Sequence, residues 1–200
     1  MSSVMSRLVL TAAVMGLSAC GGADPVIQAE PAAPLETNYT VLDDQSTVRV
    51  SATQQGEVFT GAFARFDADI RFFPDDLPAS EVRVRLPIDA LDLGDADRND
   101  AVPGASWFAA KLHPYASFET RRIRADGDGY VADGELTMKG FTAPVNLPFT
   151  LVERADGTVR MDGEVELDRT RWNLGEAPWD TEEWVGHGVT VQIELVAEKQ

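Results

Sequence analysis

An all-β domain, an antiparallel barrel of about eight strands with one short helix, is the fold class the sequence predicts, on three observations. Apolar side chains over residues 38–200 recur with period two, not 3.6. Gly-containing pairs of the kind that close hairpins stand between the alternating runs. One run changes parity partway, as a strand does where a bulge bends it.

Taken in order, strands are expected near 40–43 and 47–54, then, after Gln55-Gly56, along 57–73. In that long run Phe59, Gly61 and Phe63 keep one parity while Phe66, Ala68, Ile70 and Phe72 keep the other. A bulge near Ala64-Arg65 returns all of them to one face. Through 81–89, Val82, Val84, Leu86 and Ile88 alternate with Arg83, Arg85, Pro87 and Asp89. The helical candidate is Val102 to Lys111, with Pro103 in its first turn, Trp107 and Phe108 at helix-like spacing, and Pro114 as its stop. Strands at 115–123 and 129–139 flank Asp126-Gly127-Asp128-Gly129, those at 144–153 and 158–168 flank Asp156-Gly157, and 188–198 ends the series. The count is eight, or nine with 144–153 and 158–168 taken apart. Closing the sheet on itself removes its edges.

A barrel of this size either fills with side chains or holds one small ligand. The candidate wall is Phe59, Phe63, Phe66, Ile70, Phe72, Val84, Leu86, Phe118, Leu136, Met138, Leu147, Phe149 and Trp172. Each of these serves equally as filling for a solid core. Trp107, Phe108, Phe141, Trp179 and Trp184 fall in loops or in the helical candidate, as a lid, a dimer patch or packing under long loops.

Composition narrows the function. Seventeen basic against thirty-three acidic side chains give a net charge of -16, which repels phosphate backbones, so nucleic acid is not an expected partner. One cysteine forms no internal disulfide, and two histidines, His113 and His187, leave little for a metal site; both read as structural or surface residues. The stretch Asp95-Ala96-Asp97-Arg98-Asn99-Asp100 alternates oxygen ligands but lacks the glycine and glutamate of a calcium loop, and is read as a solvated acidic loop. There is no G-x-S-x-G elbow, P-loop or dinucleotide fingerprint, so no catalytic residue and no cofactor are expected.

At the N-terminus, Arg7 precedes an apolar run, Leu8 to Leu17, that is too short to span a bilayer and ends Leu17-Ser18-Ala19-Cys20. This resembles a bacterial lipobox. The resemblance implies a signal peptide over 1–19 and acylation of Cys20, hence a membrane anchor. Residues 20–37 carry Pro25, Pro31 and Pro34 with few large apolar side chains, and read as a tether. Gly21 follows the cysteine where aspartate would suggest inner-membrane retention in enteric bacteria, so an outer-membrane, periplasm-facing position is expected. Residues 38–200 form the single folded domain.

Several stretches, in order, resemble the YceI-like family: Gly61-Ala62-Phe63-Ala64-Arg65-Phe66 with Ile70-Arg71-Phe72, His113-Pro114-Tyr115-Ala116-Ser117-Phe118, Gly134 through Val145, Arg169 through Gly175, and Val185 through Val191. The resemblance runs from about Tyr39 to Val196. It implies a lipocalin-like barrel enclosing a long periplasmic amphiphile, a polyisoprenoid or isoprenoid quinone, and it allows a homodimer. The chain departs from the family over Asp95 to Gly104 and at Arg171 and His187, so no head-group contact is carried over from relatives. The expected function is a non-catalytic carrier or store of an isoprenoid lipid. The alternative is a solid barrel that docks a membrane partner, such as a b-type cytochrome, through its loop aromatics.

Overall fold

The computed structural model describes residues 34–200. The predicted signal peptide, Cys20 and the tether up to residue 33 lie outside the described residues. In chain order the strands are β1 (Tyr39–Val41), β2 (Thr47–Gln54), β3 (Glu57–Phe63), β4 (Asp67–Arg71), β5 (Glu81–Pro87), β6 (Leu91–Asp92), β7 (Tyr115–Asp126), β8 (Gly129–Met138), β9 (Phe141–Glu153), β10 (Thr158–Asp168) and β11 (Val185–Lys199). A single α-helix, α1, spans Ala96–Ala101 among the described residues.

Eleven short segments make eight staves. The ring runs β1-β4-β5-β7-β8-β9-β10-β11 and returns from β11 to β1, with antiparallel pairing throughout. Both β1 and β2 pair with β11, at Val41↔Ala197 and Thr47↔Glu194, so together they form one interrupted stave. In the same way β3 runs on as β4, and β5 as β6, with β6 meeting β3 at Phe63↔Leu91. Closure occurs at Asn38: its side chain accepts from Phe72 N at 2.8 Å and donates to Phe72 O at 2.9 Å, while its carbonyl accepts from Gln200 N at 3.0 Å.

The turns follow from their residues. At Gln55-Gly56 and Lys139-Gly140 both residues take positive φ, 51° and 82° in the first pair, 51° and 78° in the second, as two-residue hairpins with right-handed strand twist require. The parity change in the long run is wider than a single bulge: β3 stops at Phe63 and β4 resumes at Asp67, and Arg65 there bonds Asp89 at 2.7 Å. A second irregularity in β7, between Thr120 and Arg122, lets Phe118, Thr120 and Ile123 face the same interior despite their odd spacing.

The helix lies upstream of its expected place. Asp95 caps it by accepting from Arg98 N at 3.1 Å, so part of the stretch read as an acidic loop is α1. Residues 102–111 form successive tight turns instead, with Ala109 N and Ala110 N bonded back to Gly104 O and Pro103 O, and Ala109 at φ 48°. A positive φ at a residue with a Cβ cannot continue a helix.

Two ends can be told apart. One, the loop end, carries the β2–β3 and β8–β9 hairpins and the long segments 88–114 and 169–184; the other, the hairpin end, carries the β7–β8 and β9–β10 turns. Near the loop end the packed core centres on Trp172, fully buried, whose indole N–H donates to Leu136 O at 2.7 Å. Phe72, Ile123, Leu147 and Phe149 pack near the hairpin end. Replacing Trp172 by alanine removes both its packing and that hydrogen bond, and urea unfolding should show a loss of about 3–5 kcal/mol.

Outside, arginines pair with carboxylates along and across the staves, among them Arg122 and Arg124 of β7 on Asp133 of β8, and Arg160 on Asp162 of the same strand. These arginines hold both carboxyls below their ordinary value of 3.8, chiefly by hydrogen bonding. A carboxyl depressed in the folded state stabilises fully above its unfolded pKa and loses that contribution as pH falls through it toward the lower native value. The thermal midpoint should therefore hold steady from about pH 7 to 5 and drop below about pH 4. Asp133→Asn should flatten that drop.

Candidate functional site

Inward side chains of the staves leave open space between them over much of the barrel. They surround a cavity of about 1030 Å³, at the upper limit of the roughly 300–1,000 Å³ usual for small-molecule sites. The barrel is hollow, which corrects the solid-barrel alternative. All the predicted wall residues but one line this space: Phe59, Phe63, Phe66, Ile70, Phe72, Val84, Leu86, Phe118, Leu136, Met138, Leu147 and Phe149. Trp172 is the correction. It lies on the 310 turn Arg169–Trp172 beyond β10, and the hydrogen bond to Leu136 O holds it in the packed core, away from the lining.

Gly134 and Phe118 show how the wall is fitted. A Cβ at Gly134 would stand 2.5 Å from Phe118 Cζ, so a glycine in β8 leaves room for the ring to lie across it. Wall positions left out of the expected set, such as Val50, Val82, Val165, Val191 and Ile193, also line the space. Val165, Val191 and Ile193 share the inward parity of β10 and β11, so period-two alternation along those two strands finds them.

At the hairpin end the space narrows onto aromatic rings. Phe72 meets Tyr130 edge-on at 5.2 Å and Phe149 at 6.2 Å, and Tyr130 stacks on Phe149 at 5.4 Å. Tyr39 lies there too, its phenol pKa pushed up by burial and by nearby Glu153.

The loop end is built differently. Trp107, Phe108 and Trp179 line the cavity, whereas Trp184 and Phe141, which begins β9 and is not in a loop, are exposed and do not, so the five aromatics divide into a cap and an outer set. The cap is held by Arg169, only 3% exposed, whose guanidinium donates to the carbonyls of Leu174, Gly175, Trp179, Val185 and Gly186 and lies 5.4 Å from the Trp107 ring. Burial lowers its pKa from the ordinary arginine value. Lys139, on the β8–β9 hairpin, adds bonds to Asn173 O at 2.8 Å and Glu176 Oε1 at 2.9 Å. His187 bonds Asp180 O at 3.1 Å and His113 packs over Gly140; neither lines the cavity.

Beside this cap the lining runs out to exposed residues: Gln55, Glu57 and Val58 on the β2–β3 hairpin, and Asp95 and Asp97 at α1. That stretch is the mouth. Arg98 sits within it, its guanidinium carbon 4.5 Å from the Phe59 ring centre and its Nη1 donating to Gln54 Oε1 at 2.9 Å. Arg98 and Arg169 are the site residues that sequence reasoning passed over, since an isolated arginine carries no pattern. Among the described residues no group of His, Cys, Asp and Glu is placed to hold a metal ion, and no helix is long and apolar enough to cross a membrane.

The family model of the YceI-like domain matches residues 39–197. The chain belongs to the YceI-like family. Its ring of staves corresponds to BcnA of Burkholderia cenocepacia with a TM-score of 0.74 and 31% identity over 78% of this chain and 99% of that one. The YceI protein of Campylobacter jejuni shares the fold with a TM-score of 0.61 and 18% identity, over 70% of this chain and 85% of that one. A polyisoprenoid binding domain from Saccharophagus degradans implicated in plant cell wall breakdown does so with a TM-score of 0.63 and 12% identity, over 82% and 100%. A UPF0312 protein of Pectobacterium atrosepticum is 31% identical over 96 residues, 48% of this chain and 50% of the relative. The chain thus spans about half the length of the curated relatives it matches.

Replacing Arg169 by methionine leaves five carbonyls short of a donor, and buried unsatisfied groups are costly. Hydrogen exchange over residues 174–186 should accelerate by at least tenfold, with a stability loss of about 2–4 kcal/mol.

Proposed function

We propose that this YceI-like barrel binds one long isoprenoid lipid, a polyisoprenoid or an isoprenoid quinone, as a non-catalytic carrier or store. The single observation that carries this reading is the apolar cavity of about 1030 Å³ enclosed by the staves. A prenyl chain offers only methyls, methylenes and double bonds, and apolar walls retain it at about 0.8 kcal/mol per buried CH2-sized group. The walls here are mostly alanine, valine, leucine, isoleucine, phenylalanine and methionine, with the charged groups gathered at the loop end. The polyisoprenoid binding domain of Saccharophagus degradans, which shares the fold, supports the same ligand class.

The location belongs to the proposal as well. With its lipobox-like Leu17-Ser18-Ala19-Cys20, the chain is a periplasm-facing lipoprotein held by acyl chains on Cys20, at the outer membrane. Anchoring keeps the barrel within tether reach of the bilayer that supplies and receives its lipid.

Protein purified under mild conditions should release a prenyl compound on organic extraction and mass spectrometry, near one per barrel. Ala68→Phe, which sets a ring into the cavity from β4, should lower the lipid-to-protein ratio at least fivefold while circular dichroism stays unchanged. Lipid-free protein from every preparation would sink the reading.

A further inference from the structure

The bore is open along most of its length, but at the hairpin end side chains from opposite walls meet. In the ring β1-β4-β5-β7-β8-β9-β10-β11, the staves of β4 and β9 stand four places apart, facing each other. Phe72, just past the end of β4, nevertheless reaches Phe149 of β9, with ring centres 6.2 Å apart and planes at 70°. Contact between opposite staves is contact across the bore. Both rings line the cavity, whereas Tyr130, paired with Phe149 across β8 and β9, packs against both and does not line it. Phe72 and Phe149 are thus a floor, with Tyr130 behind it.

The floor is fixed in height. Asn38, where the ring closes, grips the backbone N–H and carbonyl of Phe72. The segment that follows is folded back on itself, Phe73 N donating to Ser80 Oγ at 2.8 Å, and it lays Leu77 against the cluster that holds Phe72 and Phe149. Both rings are buried, so neither swings aside without breaking close packing.

All the charged residues that line the cavity lie at the loop end, so a prenyl chain keeps its polar end there and runs tail first toward the floor. Each CH2-sized group moved from water to the apolar wall raises affinity about fourfold. That gain stops when the tail meets the rings. A further isoprene unit finds no wall and stays outside in water, although a bilayer or micelle would have kept it covered.

We infer that the floor is a length stop: the barrel accepts prenyl chains up to a fixed number of isoprene units, and Phe72 and Phe149 set that number. This inference rests on the lipid-binding reading above and adds selection by chain length to it. Removing a buried phenyl ring leaves an apolar space, and such spaces stay dry and take up apolar groups. A phenyl ring and an isoprene unit are close in size, so one ring lost makes room for one more unit.

The test uses the full chain in mild detergent micelles loaded with an equimolar series of all-trans prenyl alcohols from farnesol to decaprenol. Native mass spectrometry reads by mass which alcohol each barrel holds. Occupancy should rise with length to one value and fall at least tenfold at the next unit. Phe149→Ala and Phe72→Ala should each move that limit up by one unit, and Phe149→Trp should move it down. Phe149→Leu, a change the fold bears more easily, should raise occupancy by the first excluded length severalfold. Phe63→Ala takes an equal ring from the side wall, and should weaken binding at every length without moving the limit. Three results overturn the length stop and leave lipid binding standing: no limit in the unaltered protein, a limit that stays put in every floor variant, or an equal shift in Phe63→Ala. A barrel that holds no alcohol of any length removes both readings.

Discussion

Everything in this protein depends on a continuous ring of backbone hydrogen bonds that holds the staves apart as firmly as it holds them together. An open sheet of these strands would fold over and bury its apolar face on itself. Closure denies it that route, because circumference is set by the number and stagger of the staves, not by how much side-chain volume lies inside. The ring is completed by a short segment: β1 bridges β4 and β11, and Asn38 binds both Phe72 and Gln200 beside it. Three of the staves are interrupted, at 42–46, 64–66 and 88–90, and β7 and β11 carry irregularities, which together provide the curvature the closure needs.

Given a ring of fixed girth, the interior becomes a question of end caps. The hairpin end is stopped by aromatic rings against one another, and the loop end by a polypeptide cap hung on Arg169. A buried arginine without a carboxylate partner is an unusual device, yet it fits the setting. Five carbonyls from an irregular segment need donors, and an extended guanidinium supplies them at several points at once. The cap then leaves its gap on the side of the β2–β3 hairpin, so the polar residues of α1 and that hairpin become the rim of an otherwise oily space.

Much of this could be read in the chain beforehand, for a physical reason: period-two alternation records which face of a strand meets water, and turn residues record where strands reverse. That is why Phe63 and Phe66, on opposite parities, were both assigned to the inner wall, and why the strands from 115 to 168 fell close to their observed limits. Two readings failed instructively. Trp172 looks like a wall residue because a large ring in a β protein belongs inside, but its indole N–H found Leu136 O and drew it into the packed layer. The aromatic spacing after Pro103 imitated a helix, while the true helix start was the Asp95 cap a few residues upstream.

Alternation, hairpin signals and the ordered run of family-like stretches carry fold class, sidedness and kinship, since each is a local property that survives being written in one dimension. Whether the inward faces touch is a property of girth, which depends on pairings as remote as Tyr39 with Lys199. The mouth is likewise assembled from residues 54–58, 95–98 and the Arg169-bound cap, which come together only when the ring closes. Arg98 illustrates the point: in the chain it is one charge in an acidic stretch, and in the barrel it is a donor set against Phe59 at the edge of an apolar cavity.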